Sequence, residues 1–192
     1  MMKISQDGIY QPFYGVTVLS KNLDKETFLI EEEIWKSSLS SAFSPLPFES
    51  YHMTVFDLVV PENSQTKEKF GNFLSQNRVL LNKIAQECQK EREFVARLKR
   101  IYWTKGTLGI ELEPCFDRRI RERISKRAGI KDNLGYTFHM TLAYRYKDRV
   151  LSEQEIESLK KVIRRVFPSG FAKFERPKLH MFESMREFIC CE

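Results

Sequence analysis

Two short phrases of nearly the same wording, 87 residues apart, constrain the fold of this chain more than any other feature. One is Tyr51-His52-Met53-Thr54-Val55 and the other is Phe138-His139-Met140-Thr141-Leu142. Both read aromatic-His-Met-Thr-aliphatic, and both sit in runs whose composition predicts β-strand. Along a strand, residues i and i+2 point to one face, so each His projects beside its Thr while the intervening Met faces the other side. The chain of 192 residues holds three histidines and eight threonines. Two of three histidines followed by Thr at +2 is expected in roughly one shuffled sequence in two hundred. A fold that uses both phrases alike must bring two strands to one place.

The remaining periodicities supply the frame for those strands. Tyr14–Leu19 reads as a first strand, and Asp24 caps a helix expected to run to about Ala42, with Phe28, Trp35 and Leu39 among its apolar positions. Pro45-Leu46-Pro47 predicts a loop before a strand over Tyr51–Val60 that ends at Pro61. Phe70, Phe73, Leu74, Leu81, Ile84 and Cys88 lie on one helical stripe. Phe94–Trp103 and Thr107–Leu112 read as a hairpin across Thr104-Lys105-Gly106. Asp117–Ala128 predicts a helix stopped by Gly129, and Tyr136–Tyr146 a strand. Ser152-Glu153-Gln154-Glu155 has the form of a capping box, opening a helix with Ile156, Leu159, Ile163 and Val166 on its apolar side. Closing strands are expected near Phe171–Phe174 and Lys178–Phe182. Strands joined by hairpins argue against a doubly wound parallel sheet and for an α+β fold, its antiparallel sheet covered by helices. No segment of linker composition divides residues 1–192, which predicts a single domain in which any two lobes share one interface.

Composition bounds the setting without naming a partner. At 42% hydrophobic and 30% charged, the chain has enough apolar content for a core and is neither disordered nor collagenous. A net charge of +6, mixed in sign along the sequence, permits an anionic partner but does not require one. No apolar run approaches a membrane span, and the N-terminus lacks a signal-peptide core, so no membrane association and a cytoplasmic setting are expected. Cys88, Cys115, Cys190 and Cys191 show no CxxC spacing and read as reduced thiols.

Two imidazoles and two hydroxyls gathered in one groove suit in-line attack at a phosphodiester. One neutral His takes a proton from the attacking oxygen while the other, protonated, gives one to the leaving oxygen. Imidazole serves both roles because its unperturbed pKa is about 6.5. The threonine hydroxyls can donate to the non-bridging phosphate oxygens. This chemistry requires no metal and no other cofactor, and the sequence carries no Cys/His or carboxylate cluster of ligand spacing.

Paired His-x-Thr strands in an α+β chain of this length resemble the two-histidine (2H) phosphoesterase superfamily, related to RNA 2′,3′-cyclic phosphodiesterases. The likeness rests on Gln11–Val18, Ser50–Asp57, Lys105–Leu108 and Tyr136–Tyr144, and spans about residues 10 to 185. It implies a two-lobed, pseudo-symmetric fold with antiparallel sheets lining a central cleft and helices packed outside. It also implies that His52 and His139 are catalytic and that Thr54 and Thr141 bind phosphate. The implied activity is hydrolysis of a 2′,3′-cyclic phosphate or another cyclic or short oligonucleotide diester. The alternative is a non-catalytic protein that holds a nucleotide or RNA end in the same cleft. One departure stands out: many relatives carry a basic residue five positions after the second His, where this chain has Tyr144 followed by Arg145.

Other residues stand beside these four. Tyr14, Tyr144, Arg145 and Trp103 are candidate substrate contacts, since they adjoin the motif strands or the basic, aromatic hairpin around Arg97–Lys105. His180 lacks a following Thr and reads as an edge or core histidine. The basic run from Arg118 to Arg127 reads as a solvated helix face or a surface that follows a nucleic-acid backbone. A monomer acting on a nucleotide or RNA terminus, with RNA as a further partner, is the expectation.

Overall fold

A computed structural model describes residues 3–59, 66–116, 119–132 and 135–191. The expected α+β architecture is present, and its frame is one curled antiparallel sheet. In chain order the strands are β1 (Gly15–Lys21), β2 (Phe43–Pro45), β3 (His52–Val59), β4 (Phe94–Trp103), β5 (Thr107–Pro114), β6 (His139–Arg145), β7 (Phe171–Phe174), β8 (Lys178–Ser184) and β9 (Glu187–Cys190). Across the sheet they run β7-β4-β5-β6-β3-β1-β8-β9, with β2 added to β6. The order divides into halves of four, and the two motif strands meet at the centre.

The halves correspond in detail. β3 and β6 pair at Met53 opposite Met140, and both methionines are fully buried. β1 beside β3 sets Thr17 opposite Asp57, and β5 beside β6 sets Thr107 opposite Tyr144. Asp57 and Tyr144 are each five residues past their motif histidine. Each flanking strand also shifts register at the same place, Val18/Leu19 in β1 and Leu108/Gly109 in β5. This is the pseudo-twofold relation that the resemblance implies, and the bulges bend both halves around the groove between them.

The helices are α1 (Phe28–Lys36), α2 (Lys67–Gln76), α3 (Arg78–Cys88), α4 (Arg119–Ala128) and α5 (Glu153–Val166). Four of them pack in two pairs, α1 with α5 and α3 with α4. The capping box of α5 forms as expected: Glu155 N–H donates to Ser152 Oγ at 3.2 Å, and Ser152 N–H to Glu155 Oε2 at 2.8 Å. No helix among the described residues is long and apolar enough to cross a membrane.

Several boundaries differ from expectation for local reasons. The helix expected from Asp24 to Ala42 breaks at Ser37, whose extended backbone separates α1 from a 3-10 turn over Ser38–Ser41. The core face of α1 is Ile30 and Ile34, while Phe28 and Trp35 point to solvent. The stripe from Phe70 to Cys88 is two helices, because Asn77 leaves the helical region and donates its side-chain N–H to Phe73 O. Pro45 ends a short strand rather than starting a loop; Pro45 pairs with Ala143 of β6. β6 starts at His139, not Tyr136, and β9 was not anticipated. The expected ends at Val60 and Pro61, and Asp117 with Arg118, lie outside the described residues.

The basic helix is neither solvated throughout nor a free cationic face. Arg121 is buried, bonded to Asp132 and Val55 O, and its guanidinium sits 4.7 Å from the Tyr136 ring centroid. Arg123 pairs with Glu91 and Glu87, and Arg127 with Glu87 at 3.1 Å. Much of this charge therefore fastens α4 to α3 and to the segment leading into β6.

Candidate active site

Strand period and register together determine where the motif side chains go. With Met53 opposite Met140, an antiparallel ladder sets His52 across from Thr141 and Thr54 across from His139, all on the face away from the methionines. The two histidines are then diagonal neighbours, which in a regular ladder stand roughly 7–8 Å apart. His52, Thr54, His139 and Thr141 accordingly line one cleft of about 230 Å³. Lys3, Thr17, Asp57, Thr107, Tyr136 and Tyr144 share it.

Both imidazoles are oriented by the same local bond. His52 Nδ1 lies 2.7 Å from Ser50 O, and His139 Nδ1 lies 3.0 Å from Thr137 O, each carbonyl two residues upstream. A carbonyl only accepts, so Nδ1 carries the hydrogen and Nε2 is left as the working nitrogen. His180 makes the same bond to Lys178 O at 3.1 Å, but it is fully buried and does not line the cleft.

The threonines are also held. Thr54 lies near the Tyr136 hydroxyl, and Thr107 and Thr141 near the Tyr102 hydroxyl; burial raises both phenol pKa values and these threonines pull them back. Both phenols stay protonated at neutral pH. Gly109 leaves room for that approach, because it lies between Tyr102 on β4 and Thr141 on β6. A Cβ there would stand 2.7 Å from Met140 O and 2.9 Å from Tyr102 Oη.

The electrostatic environment of the first motif is distinctive. His52 is buried, and desolvation lowers its pKa to about 4; His139, His180 and Lys3 act in the same direction, while the Ser50 carbonyl opposes them. His52 is therefore neutral at neutral pH. Its ring packs 4.3 Å from Phe188 of β9. His139 is half-buried, edged by Tyr102 at 5.9 Å and Tyr136 at 6.1 Å. Asp57 is open to solvent, and the surrounding protein raises its carboxyl pKa while Lys3 and Thr17 pull it down.

Of the four candidate contacts, Tyr144 lines the cleft and Arg145 an adjoining cavity of about 440 Å³. The Arg145 guanidinium is occupied by Asp148 and by the carbonyls of Thr104, Lys147 and Arg149. Tyr14 lies outside the cleft, its ring against Phe70 of α2. Trp103, at the end of β4, is 43% exposed and does not line the cleft either. The sequence alone assigns no role to Lys3, Thr17, Asp57, Thr107 or Tyr136. The equal spacing of Asp57 and Tyr144 from their histidines was a usable signal for that pair.

Two histidines with matched threonines on the central strands of a pseudo-symmetric antiparallel sheet define a protein of 2H phosphoesterase type. Residues 3–103 match the family described as 2H-phosphodiest, Domain of unknown function (DUF1868), and the chain belongs to it. The match contains His52 and Thr54, and the second motif lies beyond it. Uncharacterized protein 127L of Invertebrate iridescent virus 6 is 28% identical over 172 residues, covering 76% of this chain and 72% of the viral protein. A conserved protein of unknown function from Agrobacterium tumefaciens shares the fold, with TM-score 0.68, 18% identity, and coverage of 98% of this chain and 88% of the other. A structure described as a phosphoesterase aligns with TM-score 0.53 and 13% identity, over 95% of this chain and 97% of that one.

Proposed function

We propose that this chain hydrolyses a phosphodiester of a nucleotide or RNA terminus, a 2′,3′-cyclic phosphate or another cyclic or short oligonucleotide diester. The observation that carries the reading is the convergence of both His-x-Thr pairs on one cleft, each histidine tied through Nδ1 to a backbone carbonyl. His52, held neutral, is the proton acceptor. Its Nε2 takes a proton from water as the water oxygen bonds to phosphorus. The bond from phosphorus to the leaving oxygen breaks, and His139 Nε2–H gives that oxygen its proton. Thr54 and Thr141 hold the non-bridging oxygens. Their hydroxyls donate to those oxygens. A cleft of about 230 Å³ suits a cyclic ribose phosphate, and the adjoining cavity of about 440 Å³ offers room for the rest of the molecule.

A panel of 2′,3′-cyclic mononucleotides and short cyclic-phosphate-ended RNAs tests this. Turnover that persists in chelator and disappears in the His52→Ala, His139→Ala double variant is expected. Tight binding across the panel without any product would instead establish the non-catalytic binding protein.

A further inference from the structure

Phosphodiester chemistry needs positive charge where negative charge builds up on the non-bridging oxygens, and neither motif supplies a fixed cation. The threonines are neutral, His52 is held neutral, and the His139 proton is the one given up to the leaving oxygen. Asp57 and Tyr144, at the equivalent positions five residues past the two histidines, are an acid and a phenol. Among the described residues that line the cleft, the one lysine or arginine is Lys3, from the segment preceding β1.

That segment is fastened down. Gln11 N–H donates to Lys3 O at 3.1 Å, Ile4 is buried and bridges to Tyr10, and the Tyr10 hydroxyl donates to Ser44 O at 2.8 Å. The Lys3 side chain then reaches into the cleft between the two halves. Its Nζ donates to Tyr144 Oη at 3.3 Å and lies 5.1 and 5.2 Å from the ring centroids of Phe13 and Tyr144. Burial lowers the Lys3 pKa, and Asp57 of β3 opposes that shift. Lys3 also lines the adjoining cavity, so it stands where the two spaces meet. Two aromatic faces and a partly desolvated setting make a cation there more effective than one in water.

We propose that the Lys3 ammonium is the phosphate-binding cation of this cleft, supplied by the N-terminal segment instead of by either His-x-Thr half. Asp57 and Tyr144 hold the ammonium in place, and a bound phosphate takes its charge. The proposal rests on the phosphodiester reading of the cleft, and it is tested with inorganic phosphate as well as with turnover.

The experiment compares Lys3→Met and Lys3→Arg with wild type in the full chain. Phosphate affinity is followed by NMR titration, hydrolysis of a 2′,3′-cyclic nucleotide by product formation, and folding by thermal melting. Loss of one charge-assisted contact predicts about tenfold to a hundredfold weaker phosphate binding in Lys3→Met. Lys3→Arg should recover most of the affinity, with melting temperatures unchanged in both. Lys3→Met binding phosphate like wild type overturns the proposal, and so does wild-type protein that binds none. Equal loss in a folded Lys3→Arg also overturns it, because packing rather than charge would then be responsible. If wild type hydrolyses the diester and Lys3→Met does so equally well, the Lys3 assignment fails and the hydrolytic reading stands. If nothing is hydrolysed but phosphate binding still falls in Lys3→Met, the reverse holds.

Discussion

The same five-residue phrase occupies two unlike environments on either side of the Met53–Met140 pair. Around His52 the β8–β9 hairpin closes in, with Phe188 against the ring and Phe182 and Met185 on the cleft wall. Around His139 the neighbours are tyrosines, Tyr102 and Tyr136, and the ring is more open. A near-identical backbone arrangement thus carries one imidazole stripped of solvent and one edged by hydroxyl-bearing rings. Acid and base can be separated by surroundings alone, without any difference between the motifs.

The largest expected effect comes from removing either imidazole. His52→Ala and His139→Ala should each lower kcat/KM for a 2′,3′-cyclic nucleotide by about 10²–10⁴-fold, with the double variant little worse than either single one. If one single variant kept full activity, the two halves would not work as a pair. Thr54→Val and Thr141→Val, nearly isosteric changes, should each cost about tenfold to a hundredfold in turnover. Clearly unequal losses would show that the phosphate leans on one half.

Smaller changes act on the asymmetry itself. Gly109→Ala pushes Tyr102 away from Thr141, so it should disturb only the His139 half and cost about 1–3 kcal/mol in denaturant melts. An unchanged melt would mean that Met140 O and the Tyr102 ring give way to the added methyl without cost. Phe188→Leu thins the apolar cover over His52. Since desolvation lowers that imidazole's pKa, the variant should raise it from about 4 toward the ordinary value, moving the acid limb of the pH–rate profile upward.

The convergence of the two motifs was legible because it depends on local rules. The strand period places His and Thr on one face, and duplication of the phrase implies two such strands. The capping box at Ser152 was legible for the same reason. What escaped notice depends on contacts between distant segments. Tyr136 read as a strand residue, yet its ring turns under Arg121 and its hydroxyl reaches Thr54. Tyr102 belongs to the basic, aromatic hairpin around Arg97–Lys105, yet it stands across Gly109 from Thr141. Lys3 precedes every periodic segment, and only the buried Ile4 nearby hints that the terminus is fastened. Helix α4 misled by composition, since a run of arginines looks the same whether it faces water or the carboxylates of α3.

We propose His52 as a neutral, Nδ1-protonated imidazole whose Nε2 is free to accept a proton. Nitrogen-15 NMR of the imidazole rings across a pH series measures this directly, with His52→Ala assigning the signal. One Nδ1–H tautomer at neutral pH, titrating only near pH 4, is expected. A His52 signal already protonated at neutral pH, or one titrating at the ordinary value of about 6.5, would contradict it.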